Sequence, residues 1–132
     1  MGAWGAGYFE NDDAQDWLGE LEEAGMDAIQ SALLVADEEE IDAVDGARAV
    51  AAAVVVLAMA GSTVKDMPEE LEAWLEEHAK RPDAQLMERA QTAMHAVFED
   101  SELRDVWEES DDFDHWSKLM RQLIKRLDDR AG

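Results

Sequence analysis

From Asp12 to Leu127 apolar residues recur three and four positions apart, the 3.6-residue period of helices with one buried face, and no stretch alternates as a strand would. Ala14, Trp17, Leu18, Leu21, Ala24 and Ala28 share one arc of a helix that starts at Asn11 or Asp12, either a good N-cap. Asp12, Asp16, Glu20, Glu23 and Asp27 fall on the opposite arc. Gly25 marks a bend or stop, and Leu33 and Leu34 are out of phase with what precedes them. The acidic run 37–40 is a connection. From about Asp42 to Ala60 the chain is apolar all round, as a helix buried on every side requires. Gly61 and Ser62 end it.

Pro68 suits a first helical position, before a face of Leu71, Trp74, Leu75 and His78. Glu76 with Lys80 and Glu77 with Arg81 are spaced as i,i+4 ion pairs. Pro82 is expected to stop that helix and open the next, in which Leu86, Ala90, Ala93, Met94 and Val97 face inward and Glu88, His95 and Glu99 outward. Ser101 caps a short helix, Glu102 to Glu109, with Leu103, Val106 and Trp107 apolar. A last helix turns Trp116, Leu119, Met120, Leu123 and Leu127 inward and carries Lys118, Arg121 and Lys125 outward. The expected fold is all-α: a compact bundle of five to seven helices around a central Ala/Val-rich helix. One domain spans 1–132, with residues 1–11 as an aromatic arm whose Trp4, Tyr8 and Phe9 pack on the body.

Composition changes the picture chiefly through charge. Eleven Lys and Arg against 33 Asp and Glu give a formal net charge of −22. Such a surface excludes general nucleic-acid binding, which draws on clustered cations, and opposes docking on anionic lipid. Apolar residues at 47% exclude a disordered acidic chain. The charge is unevenly placed: residues 1–47 hold fourteen acids and no base, whereas 118–132 hold five bases and two acids. Arg48 is the only base in the central helix, and solvation or a salt bridge is expected of it. The longest apolar run, Ala49 to Ala60, is about 18 Å long as a helix against about 30 Å of bilayer hydrocarbon. With no signal-peptide pattern at the start, and Ala6 where myristoylation requires Ser or Thr, a cytoplasmic protein is expected.

The opening carries Trp4, Gly5, Gly7, Phe9, Asn11, Asp12, Ala14, Asp16 and Trp17 in a pattern Trp-Gly-x-Gly-x-Phe-x-Asn-Asp-x-Ala-x-Asp-Trp. It resembles the bacterial family catalogued as domain of unknown function 4259. The Ala-rich helix, the segment from Pro68 to Trp74 and Ser101 to Glu109 resemble it too, so the likeness covers nearly the whole chain. Family members often have a Glu in the Ala-rich helix at the place of Val54, so the resemblance implies that any polar role of that Glu is absent here or supplied elsewhere. It implies a fold and supplies no catalytic residue.

No catalytic, cofactor or metal site is expected. Cys is absent, which removes thiol nucleophiles and Cys-ligated metals. The H-E-x-x-H pattern is missing, no Glu stands three before a His, and Asp112 with His115 imitates that spacing once only. His95 with Glu99 has spacing for one metal but needs ligands from another helix. Glu108, Glu109, Asp111, Asp112 and Asp114 are dense enough to attract calcium but lack the loop and central Gly of an EF-hand. The glycines before Tyr8 lack the P-loop lysine, and Ser62 lacks the strand of a nucleophile elbow. His78 is expected at the core edge, bonded to backbone.

The functional expectation is therefore binding. Asp12, Asp16, Glu20, Glu23 and Asp27 form a face that can steer a basic protein, as small acidic inhibitors or immunity proteins do for basic toxins. Self-association is a further possibility. Three rivals stand beside this expectation. One is a small enzyme with a pocket beneath the aromatic arm. Another is a purely structural protein with solvated acids. In the third, the acidic stripe neutralises Lys118, Arg121 and Lys125 within the fold.

Overall fold

A computed structural model of the chain describes residues 7–62, 64, 67–78 and 81–131. Seven α-helices and no strand element occur among them: α1 (Asp12–Ala24), α2 (Met26–Ala32), α3 (Ala43–Met59), α4 (Glu69–Glu77), α5 (Ala84–Glu99), α6 (Glu102–Glu108) and α7 (Phe113–Ala131). A 3₁₀ segment, Leu33–Asp37, joins α2 to the turn before α3. The all-α reading holds.

Local chemistry sets most helix starts. Asn11, Asp42, Asp83 and Ser101 each accept a hydrogen bond from the backbone N–H three residues on, at 2.8, 2.7, 2.8 and 3.1 Å. Each satisfies a donor that the first helical turn leaves without a partner. Gly25 separates α1 from α2 at φ 59° and ψ −129°, a region L side chains rarely enter. Its N–H still bonds the Leu21 carbonyl at 2.8 Å, so the chain turns sharply without losing that acceptor.

Helix α3 is the axis of the bundle. Every residue from Ala49 to Leu57 is buried, and each of the other helices packs on it. The alanines let several helices approach at once, while Val50, Val54, Val55, Val56 and Leu57 fill the gaps between them. Val54 is fully buried, so the polar position implied by the resemblance is here a core position. Gly46 is the tightest approach: a Cβ there would lie 3.0 Å from the Cβ of Leu103 on α6.

Several expectations need correction. Pro68 is the residue before α4, not its first, with ψ 146°. Pro82 neither stops α4 nor opens α5; α4 already ends at Glu77, and Asp83 is the cap of α5. What stops α4 is His78, whose Nδ1 lies 2.9 Å from the Trp74 carbonyl and whose ring stacks on Trp74 at 4.2 Å. His78 is thus bonded to backbone, but from an exposed position. Arg81 donates to the Ala60 carbonyl at 3.3 Å and forms no ion pair with Glu77. Lys80, the other expected pair's cation, lies outside the described residues, as does Trp4. Ala24 is exposed, and α6 contains only half-buried apolar side chains.

The described part of the arm, from Gly7 onward, is anchored. Phe9 is buried, and the half-buried Tyr8 donates its hydroxyl to the Leu119 carbonyl at 2.8 Å. At the opposite end of α3, Arg130 donates to Ser62 Oγ at 2.8 Å and reaches the Ala60 carbonyl at 3.4 Å. With Arg81 it places two guanidinium groups at the helix C-terminus, where the peptide dipoles favour positive charge.

Candidate functional site

Packing of α1 and α2 on α3 leaves a groove between them of about 360 Å³. Its apolar lining is Trp17, Ala24, Ala28, Ala32 and Val35. Its polar lining is Glu20, Glu23, Asp27, Ser31, Glu38, Asp45 and Arg48. The bend at Gly25 makes this possible, since it turns Asp27 and Ser31 on α2 onto the same concavity as Glu20 and Glu23 on α1. Burial of Trp17 and Leu21 fixes the roll of α1 and so sends the acidic arc outward.

The predicted face is divided by the structure. All five of Asp12, Asp16, Glu20, Glu23 and Asp27 are exposed, but only Glu20, Glu23 and Asp27 line the groove. Asp12 and Asp16 lie nearer the start of α1 and do not. Glu38 and Asp45 complete the set from the two sides of the 38–42 turn. Sequence periodicity missed both, because they belong to a different element from the α1 stripe. The only signal for them was the density of acids after residue 36.

Glu38 and Asp45 interact directly. Partial desolvation, the neighbouring Asp45 carboxylate, a hydrogen bond shared with Asp45, and then Asp42 push the Glu38 carboxyl above its ordinary value. Arg48 is the single base of the groove lining. Its Nη1 stands 3.9 Å from Glu20 Oε1, and its side chain is 36% exposed. The Nε is enclosed without a hydrogen-bond partner, so the guanidinium is only partly satisfied by the residues around it.

Other concavities are of different character. Beneath Tyr8 the space between Val50, Trp107, Trp116 and Met120 is about 20 Å³, room for roughly one water. A hollow of about 450 Å³ between α2 and the start of α5 is lined by Met26, Met59, Leu86, Arg81 and Arg89, among others. It gathers none of the predicted face. Among the described residues no group of three or more His, Asp or Glu is placed to hold a metal ion. No helix among them is long and apolar enough to cross a membrane.

The basic stripe of α7 is also located. Lys118, Arg121 and Lys125 are exposed, and α7 packs on α5, α3 and α6. Arg121 lies 5.7 Å from the Phe98 ring centre. None of the three forms an ion pair with the acidic stripe among the described residues.

Fold and groove together define an all-α protein that presents a carboxylate-lined concavity between its first two helices and the central one. Its family is the one described as Domain of unknown function (DUF4259): residues 2–118 match, and the chain belongs to it. No curated protein and no solved structure matches the chain.

Proposed function

We propose that this protein acts by binding, and that the groove between α1, α2 and α3 receives a basic segment of a protein partner, in the manner of an inhibitor or immunity protein. The observation that carries this reading is the meeting of Glu20, Glu23, Asp27, Glu38 and Asp45 around one apolar floor. Side chains of Lys and Arg have the matching form, an apolar stem and a cationic head. The stem covers Ala24, Ala28 and Val35 while the head reaches the carboxylate rim. The net charge of −22 supplies long-range attraction, which raises the rate of encounter.

Capture from the source cells tests the reading with three forms of the protein. Wild type should retain a basic protein that Glu20→Lys/Glu23→Lys/Asp27→Lys loses. Asp12→Lys/Asp16→Lys, which changes the same helix outside the groove, should retain it. The association rate of the purified pair should fall steeply as ionic strength rises. Equal recovery by the wild type and the groove variant overturns the reading.

A further inference from the structure

Two oppositely charged surfaces of this chain are left without each other. The groove of α1, α2 and α3 presents Glu20, Glu23, Asp27, Glu38 and Asp45 with one base, Arg48. The outer face of α7 presents Lys118, Arg121 and Lys125 at i, i+3 and i+7, one helical stripe about 10 Å long. Asp114 and Asp128 flank that stripe, and Asp128 is already engaged by Gln91 at 2.9 Å. Lys118 and Lys125 have no ion-pair partner among the described residues, and Arg121 rests on Phe98. Helix α7 is held by its buried side, Trp116, Met120, Leu123 and Leu127, so folding cannot turn the stripe toward α1. What the fold keeps apart within one molecule can meet only between two.

We propose that the groove's occupant is a second copy of this chain, seated through the Lys118–Lys125 face of its α7. This rests on the groove being a docking site and names its partner. Three cations spaced along a rigid helix meet carboxylates on both walls of a concavity, and the apolar floor accepts the lysine stems. Two such contacts close a twofold dimer, whereas one repeated contact builds a ring or chain. Overall repulsion between two strongly acidic bodies opposes the contact. At 0.15 M salt the Debye length is about 8 Å, so that repulsion is screened while pairs in contact are not. Association should therefore be weak at very low salt, strongest at intermediate salt and lost at high salt.

Sedimentation of the full chain across concentration and salt tests this, using reversals of each face. Wild type should exceed monomer mass near 0.15 M salt. Glu20→Lys/Glu23→Lys/Asp27→Lys and Lys118→Glu/Lys125→Glu should each raise the dissociation constant by about tenfold or more while keeping their helical spectra. Mixing these two variants should restore association, because each now complements the other. Lys118→Gln/Lys125→Gln should lose association, whereas Gln30→Glu/Thr92→Glu, which adds the same net charge elsewhere, should keep it. A wild type that stays monomeric at every salt concentration overturns the proposal, as does a mixture that fails to associate. If the wild type is monomeric yet the groove variant still loses a basic protein, the groove stands as a docking site and the second copy is excluded as its occupant.

Discussion

Tyr8 and Leu119 are 111 positions apart in the chain, and the tyrosine hydroxyl donates to the leucine carbonyl at 2.8 Å. That bond ties the arm to α7 and makes Tyr8 sensitive to alkali. Burial pushes its hydroxyl above the ordinary value of 10.0, and the nearby Arg126 charge only partly offsets this. A group whose folded pKa is raised adds stability that is complete below the unfolded value and is lost as pH rises through the folded one. Stability should therefore decline above about pH 10 more steeply in the wild type than in Tyr8→Phe. Below that pH the variant should be less stable by about 0.5–1.5 kcal/mol, the net worth of one hydrogen bond. Denaturant titrations of both forms from pH 8 to 11 check the two limbs; parallel curves would refute the assignment.

Gly46 should be the least tolerant helical glycine. An Ala there gains about 1 kcal/mol of helix propensity, but its Cβ meets Leu103 Cβ at 3.0 Å, an atom fixed to the backbone of α6. Overpacking of that kind costs about 1–3 kcal/mol, so Gly46→Ala should lower the melting temperature. Gly19→Ala, with nothing near the new methyl, should raise it. A Gly46→Ala protein as stable as Gly19→Ala would show that α6 yields freely.

Glu38→Gln should stabilise the protein at neutral pH. The raised Glu38 pKa means that its ionisation opposes folding once pH exceeds the folded value. The amide mimics the protonated carboxyl and can still donate to Asp45. The gain should be present at pH 7 and vanish below about pH 4, where Glu38 is protonated in the wild type as well. Melting curves at those two pH values decide it, and an equal gain at both would point to another cause.

Moderate salt should raise the melting temperature. Two ion pairs appear among the described residues, Arg48–Glu20 and Arg104–Glu108, against a great excess of carboxylates. Screening therefore removes more repulsion than attraction as salt rises to about 0.15 M. A falling melting temperature over that range would mean that attractive pairs dominate.

Replacing Trp17 by Ala should cost about 3–5 kcal/mol, because the side chain is fully buried beneath α1. It also lines the groove, so partner capture and self-association should weaken with it. Chemical denaturation gives the stability change, and a loss below about 1 kcal/mol would mean that the neighbouring side chains collapse into the space.

The sequence by itself determined the helical character of the chain, the buried faces of its helices and the starts of α1 and α6. Periodicity and capping act over three or four residues, so Trp17, Leu21, Ala90, Met94, Leu123 and Leu127 could be placed inward without any partner in view. The Asn11 and Ser101 caps were readable for the same reason, as was the break at Gly25. Tertiary structure decided what no local window contains. Helix α4 ends where His78 stacks on Trp74, four residues before the proline that local rules favoured. Arg81 donates to the Ala60 carbonyl at the C-terminal end of α3 and not to Glu77, a contact between two elements that no local spacing contains. The acidic stripe is split, with Asp12 and Asp16 outside a groove that Glu38 and Asp45 enter. Charges lie on the outer surface, where burial does not fix them one by one. Their grouping follows from how buried faces roll each helix against α3, and that is a property of the packed bundle alone.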